Sequence, residues 1–333
     1  MPVTDGRAAP WIGSGRLVDF RFHQEVVQKA MIIDCVGQIE GPLHMLGNAA
    51  VPVYLWDGER PIVFDAGFAF LGRVYAAAIE ATLGGRQPSV CALTHSHFDH
   101  CGAAGYFKRR FTGLRTAAAE HAQAILARPN AISLMQALTK AAVQTAAING
   151  FAADPDIEFE PFGIDRVLKE GDVLHPSDDT AVQVLATPGH TRDCLSFYIP
   201  SRKVLIASEA AGIMDTTGYI VSDCLVDYDM YLDSLKRLSR LDVDILCLGH
   251  RYALSGEDAR RYLSRSIAHC LEFRDIVAES LDRERNDLAR TVQAIKAWEY
   301  DGKPEPKQPE PAYRINLEAR VNAVAKHLGK SLS

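Results

Sequence analysis

From residue 31 onward the chain is built of short apolar runs bounded by turn residues, interleaved with longer stretches whose apolar positions recur at helical spacing. Met31–Val36, Val51–Trp56 and Pro61–Phe64 read as strands, and Asp57-Gly58 between the last two is a hairpin signal. Phe70–Leu83 reads as a helix that Gly84-Gly85 ends. Ser89–Thr94 is a buried strand running straight into His95. Two alanine-rich stretches, Thr116–Ala127 and Ala131–Ile148, read as helices separated by Pro129-Asn130.

A second series begins with strands over Arg166–Lys169 and Ala181–Ala186. Leu195–Ile199 and Lys203–Ala207 form a hairpin around Pro200-Ser201-Arg202. Tyr228–Leu241 is an amphipathic helix with Tyr228, Tyr231, Leu232, Leu235 and Leu238 on one face. Asp244–Leu248 reads as the last strand and ends at Gly249-His250. Each half is thus mostly strands, then helix, with histidines at strand ends. Residues 256–333 are helical and charged, with a proline-rich break at 303–311 and a final helix over Tyr313–Leu328. Residues 1–30 carry no such pattern. The organisation expected is an N-terminal extension (1–30), one α/β domain (31–255) with inserted helices at 116–149, and a helical C-terminal extension (256–333).

Composition narrows the function. The 333 residues are 47% hydrophobic and 23% charged, which is globular. A net charge of −6 argues against a nucleic-acid partner. Apolar runs are too short and too broken by charge for a membrane span, and Met1–Phe20 shows no signal-peptide pattern. Seven scattered cysteines without a C-x-x-C fit reduced thiols and a cytoplasmic location.

The chemistry concentrates in Thr94-His95-Ser96-His97-Phe98-Asp99-His100-Cys101-Gly102, which holds three of the eleven histidines on one strand-end loop. His95 and His97, two apart on extended chain, point the same way and can chelate one divalent ion; Asp99 and His100 fall on the following turn and can face a second. Two more histidines end later strands, His190 in Thr187-Pro188-Gly189-His190 and His250 in Leu248-Gly249-His250. Neutral imidazole and carboxylate suit zinc, iron or manganese.

H-x-H-x-D-H at 95–100, P-G-H ending at 190, a strand-end carboxylate and G-H ending at 250 resemble the metallo-β-lactamase superfamily over about residues 31–255. Asp65, in Val63-Phe64-Asp65-Ala66-Gly67, resembles the superfamily's early buried acid that orders the metal loops. The resemblance implies an αββα sandwich of two mixed sheets with helices outside and the site at the strand-end edge. It places His95, His97 and His190 on a first divalent ion and Asp99, His100 and His250 on a second, with zinc as the first choice and iron or manganese as alternatives. Asp99 would also orient the attacking water. The superfamily's bridging aspartate is replaced here by Glu209, in Ala207-Ser208-Glu209-Ala210, a longer side chain that leaves open whether it spans both ions.

The segments 47–55 and 227–235, the inserted helices and the C-terminal extension resemble the branch of the quinolone signal response protein, of acyl-CoA thioesterase type. That implies a small-molecule acyl substrate, hydrolysed by a metal-bound hydroxide, with neither nucleic acid nor membrane as partner and a homodimer as one possible assembly. The added helices are expected to roof the site, with Met135 and Leu138 lining an acyl pocket. A lactonase, a phosphodiesterase, or a signalling protein that keeps a metal site are the alternatives on the same scaffold.

Overall fold

The computed structural model describes residues 32–146 and 151–333. The N-terminal extension, and the end of the helix expected to reach Ile148, lie outside the described residues. After a two-residue strand β1 (Ile32–Ile33), seven strands form a first sheet in chain order: β2 (Gly37–Glu40), β3 (Leu43–Asn48), β4 (Val51–Trp56), β5 (Ile62–Phe64), β6 (Val90–Ala92), β7 (Arg115–Ala119) and β8 (Arg166–Leu168). Pairing is antiparallel from β2 to β5 and parallel from β5 to β8.

The second sheet takes β9 (Val173–Ser177), β10 (Thr180–Ala186), β11 (Leu195–Ile199) and β12 (Val204–Ile206). A small hairpin, β13 (Ile213–Met214) with β14 (Ile220–Val221), stands apart, and β15 (Ile245–Cys247) and β16 (Ala253–Ser255) complete the sheet. Its order is β1-β16-β15-β12-β11-β10-β9, and only β12 and β15 are parallel neighbours.

The period-two alternation of the strands decides the layers. On β4, Tyr54 and Trp56 point into a core shared with Phe197, Ile206 and Cys247 of the second sheet. Val53 and Leu55 point the other way, toward α1 (Gly72–Leu83), α3 (Ala104–Arg110), α4 (Glu120–Leu126) and α5 (Pro129–Ala146); α2 (Phe98–Cys101) is a single turn. Leu205 and Leu246 on the outer face of the second sheet meet α6 (Tyr228–Leu238), α7 (Glu257–Arg283), α8 (Leu288–Lys296) and α9 (Glu310–His327). The result is the expected αββα sandwich with the expected helical C-terminal extension. All seven cysteines are free and six are buried, and no described helix is long and apolar enough to cross a membrane.

Three expectations change. Thr116–Ala119 is not helix: with Arg115 it forms β7, whose Ala117 faces the other sheet and Ala118 the helices, both fully buried. Parallel neighbours on both sides supply backbone partners there, and that tertiary setting overrides alanine's helix propensity. Second, β2, β3 and β9 go unrecognised, because β2 (GQIE) and β9 (VLHPS) carry polar residues at a sheet edge. Third, β15 is not the last strand, since β16 pairs with it antiparallel.

Candidate metal centre

Strand direction collects the site. β5 and β6 run parallel, as do β12 and β15, and β10 runs the same way as β12 because two antiparallel steps separate them. Their C-terminal ends therefore share one edge of the sandwich, and Asp65, His95, His190, Glu209 and His250 lie just beyond them. The Leu195 amide donates to the Thr94 carbonyl at 2.7 Å and joins the sheets at that edge. Three residues there hold left-handed backbone, Asp65 (φ 61°), Ser208 (φ 49°) and Arg251 (φ 66°). Such conformations cost non-glycine residues energy and persist where surrounding bonds enforce them. Gly189 is obligatory: at φ +135°, a Cβ would stand 2.3 Å from the Tyr231 nitrogen and Cα.

All seven candidate ligands converge. The ligand atoms of His95, His97 and His190 lie within 4.8 Å of one another, as do those of His95, His100 and Glu209, and those of Asp99, His100 and His250. His190 Nε2 is 3.1 Å from His97 Nδ1. Glu209 Oε1 stands 2.6 Å from His100 Nε2 and 2.8 Å from His250 Nε2, while its Oε2 is 3.8 Å from His95 Nε2. Asp99 Oδ2 lies 3.6 Å from His250 Nε2. His95, His100, His190 and Glu209 are buried; Asp99 and His250 are about one-fifth exposed and form the mouth.

Proton accounting tells which nitrogens face inward. His100 Nδ1 is 3.0 Å from Asp65 Oδ2, and the Thr94 hydroxyl donates to the same carboxylate at 2.9 Å. With its single proton so used, Thr94 Oγ1 accepts from His95 Nδ1 at 3.0 Å. His190 Nδ1 donates toward Asp223, 2.9 Å from its carbonyl and 3.0 Å from Oδ2, and His250 Nδ1 toward the Ala50 carbonyl at 3.2 Å. All four imidazoles thus turn Nε2 to the centre. Two of those atoms, on His95 and His100, are buried without any hydrogen bond. His100 Nε2 stands 2.6 Å from Glu209 Oε1, so a divalent cation taken up between them would take the place of a proton.

Electrostatics divide the histidines. Burial lowers His190, but Asp223 outweighs burial and raises it to about 9, so that His190 must lose a proton before ligating. Burial, reinforced by His100, holds His95 well below the usual imidazole value, and burial with His190 brings His97 to about 4. Both are neutral and ready to ligate at neutral pH. Burial alone would raise the Glu209 carboxyl, but His100 and His95 hold it well below the usual range, so it is ionised. Burial lowers His100 and His250, yet Glu209 outweighs it and raises both, so a cation entering there displaces protons. Imidazole nitrogens and carboxylate oxygens at this spacing fit a pair of divalent ions such as zinc, iron or manganese.

Asp65 accepts from the Thr94 amide at 2.7 Å and lies 3.0 Å from His100 Nδ1, joining the two ends of that loop. Sequence reasoning missed Thr94, Ser208, Asp193 and Asp223. Asp193 Oδ2 accepts from the Ser96 amide at 2.8 Å and so fixes the loop between His95 and His97. Ser208 Oγ donates to Glu209 Oε2 at 2.5 Å. Met135 is buried in the core between α5 and the first sheet, and Leu138 is 37% exposed on the same helix, which packs against α2.

A hydroxyacylglutathione hydrolase of Mesorhizobium japonicum is 28% identical over 181 residues, covering 54% of each chain. Acyl-coenzyme A thioesterase MBLAC2 of Bos taurus is 25% identical over 185 residues, 53% of this chain and 63% of that protein. The chain thus spans between half and two-thirds of the length of these curated relatives. Among solved structures, a β-lactamase domain protein from Burkholderia ambifaria superposes with a TM-score of 0.63 at 16% identity, covering 88% of both chains. A metallo-β-lactamase family protein from Thermus thermophilus does so with 0.59 at 20% identity, over 88% of this chain and 94% of that one. The family model for the metallo-beta-lactamase superfamily matches residues 46–250. That match takes in more than half of the chain and all seven convergent side chains, and the chain belongs to the metallo-beta-lactamase superfamily.

Proposed function

We propose that this protein is a dinuclear, metal-dependent hydrolase of acyl thioesters. The observation that carries the reading is the pair of buried, hydrogen-bond-free Nε2 atoms of His95 and His100, set among five more convergent ligands. His95, His97 and His190 would hold one ion; Asp99, His100, His250 and Glu209 the other. When bound, two divalent ions would supply positive charge to polarise an acyl carbonyl and to acidify a water.

The chain's own groups do the rest. Asp65, Thr94 and Asp223 fix the ligand tautomers and leave no freedom for ring rotation. Asp99, partly exposed at the mouth, would orient a water and take its proton. A thiolate is a good leaving group and would depart without a strong proton donor. Beside Asp99, the half-buried rings of Phe68, Phe98 and Phe151 pack together, with centroids 5.5 Å apart for Phe68 and Phe98 and 5.7 Å for Phe68 and Phe151. They give the acyl group an apolar bed. Met135, buried in the same core, and Leu138, exposed on α5, would line the acyl pocket.

The relatives whose names speak of acyl-glutathione and acyl-coenzyme A support a thiol-linked acyl substrate. The test is a panel of acyl-coenzyme A, acyl-glutathione, lactone and phosphodiester substrates on the metal-loaded protein. Thioester cleavage well above the others is expected; preferential lactone or phosphodiester cleavage, or no turnover by the fully metallated protein, refutes the reading.

A further inference from the structure

The C-terminal helices bury a complete ion pair. Arg320 on α9 is 1% exposed and Glu299, in the turn after α8, is 2% exposed. The guanidinium donates to Glu299 through both terminal nitrogens, each at 2.8 Å, and lies 4.0 Å above the Phe273 ring of α7. Burial would raise the Glu299 carboxyl, but Arg320 holds it below its usual value, so the pair is charged. A buried pair is weak evidence of stabilisation, since well-packed apolar side chains often serve as well. What this pair does that apolar side chains cannot is aim donors and acceptors.

Apart from the Tyr313 hydroxyl of α9, which donates to Glu299 Oε2 at 2.6 Å, its remaining bonds lead to one segment. Arg320 Nε donates to the Ser222 carbonyl at 2.8 Å, and the Tyr219 hydroxyl donates to Glu299 Oε1 at 3.3 Å. Between them the Ile220 amide donates to His269 Nδ1 of α7 at 3.1 Å. The segment 219–222 is therefore tied to the C-terminal helices at three points. The next residue is Asp223, whose carbonyl and carboxylate both receive His190 Nδ1. The Asp223 amide donates to the Tyr231 hydroxyl at 3.3 Å.

We propose that Arg320 is a positioning residue for the metal centre: through the Ser222 carbonyl it sets Asp223 against His190, so that the C-terminal helices govern how tightly the His95, His97 and His190 group holds its ion. The proposal rests on the reading of that group as a cation site. It gives the C-terminal extension a role in the centre. It also makes the effect selective, because the ligands of the other group, Asp99, His100, His250 and Glu209, receive no bond from this network. Lysine cannot replace arginine here. One ammonium cannot bond both Glu299 oxygens and the Ser222 carbonyl in the guanidinium's planar fork.

The test is zinc binding to the full chain by competition with a chromophoric chelator, well below the melting temperature, resolving two affinities. His97→Ala identifies the affinity that belongs to the three-histidine group. Arg320→Lys is expected to weaken that affinity about tenfold or more, the usual effect of disturbing a ligand's hydrogen-bond partner, and to leave the other within about twofold. Asp223→Asn should weaken the same affinity, and the double variant should lose less than the sum. If Arg320→Lys fails to fold, Tyr313→Phe carries the test, because it removes only the 2.6 Å hydroxyl bond to Glu299 Oε2; the same selective loss, smaller in size, is then expected. Wild-type affinities in a variant that melts earlier would show the pair to be purely structural, and equal loss at both sites would overturn the proposal as well. A wild-type protein that binds no zinc would instead overturn the metal reading beneath it.

Discussion

Gly249, between β15 and His250, makes room for a glutamate where the superfamily resemblance calls for an aspartate. A Cβ at that position would stand 2.7 Å from Glu209 Oε1, 2.8 Å from its Cδ and 2.9 Å from its Oε2. Comfortable contact begins near 3.5 Å, so in Gly249→Ala the carboxylate must retreat by roughly 0.7 Å. Metal–ligand distances tolerate about 0.2 Å, so a shift of that size breaks or badly stretches a bond. The backbone at Gly249 is not left-handed, so alanine brings no conformational strain of its own. The expected result is a 10–100-fold weaker second ion, about 1.4–2.7 kcal/mol, with metal-free stability nearly unchanged. Glu209→Asp shortens the side chain by about 1.5 Å and should relieve the clash, so the double variant should bind better than the sum of the single losses predicts. Chelator competition on the four proteins reads this directly. Wild-type affinity in Gly249→Ala, or strictly additive losses, would refute the reasoning.

Other substitutions separate ligands from their supports. His97→Ala should abolish turnover and lose an ion, whereas Asp65→Asn should keep both with affinity reduced about 10–100-fold; metal analysis after dialysis distinguishes them. Gly189→Ala forces alanine into φ +135° against the Tyr231 backbone and should cost at least about 1–3 kcal/mol in urea unfolding, with the ion held by His190 weakened too. Glu299 titrates below its usual value in the folded chain, so its contribution is fully present above about pH 4.5 and is lost as pH falls through the folded pKa. The stability difference between wild type and Glu299→Gln should therefore be large at neutral pH, about 3–5 kcal/mol, and should shrink on acidification; a difference that does not change with pH refutes the charged pair.

The ligand set is legible in the sequence because each member ends a strand in a motif: H-x-H-x-D-H after an apolar run, P-G-H, and G-H. Glu209 is found by its place after β12, although its residue type departs from the resemblance. Of the supports only Asp65 is legible, from its place in Asp65-Ala66-Gly67. Asp223 sits in Val221-Ser222-Asp223-Cys224, with nothing local to mark it, and meets His190 only because the chain returns under α6. Gly249 looks like an ordinary turn glycine until the Glu209 carboxylate appears in its missing side chain's place. β7 escapes a sequence reading because alanine speaks for helix locally, while its strand conformation is dictated by β6 and β8, one close and one distant in sequence. Arg320 and Glu299 look like surface charges in a helical tail, and only the packing of α7, α8 and α9 buries them.

The central claim is that two ions, held by these seven residues, make the chain a thioester hydrolase. Its most direct test strips the purified protein of metal, adds zinc in measured equivalents and follows acyl-coenzyme A hydrolysis through the released thiol. The account predicts no turnover without metal, a rise that ends at two equivalents, and no recovery in His97→Ala. Undiminished hydrolysis by the stripped protein, or a rise completed by a single equivalent, would contradict it.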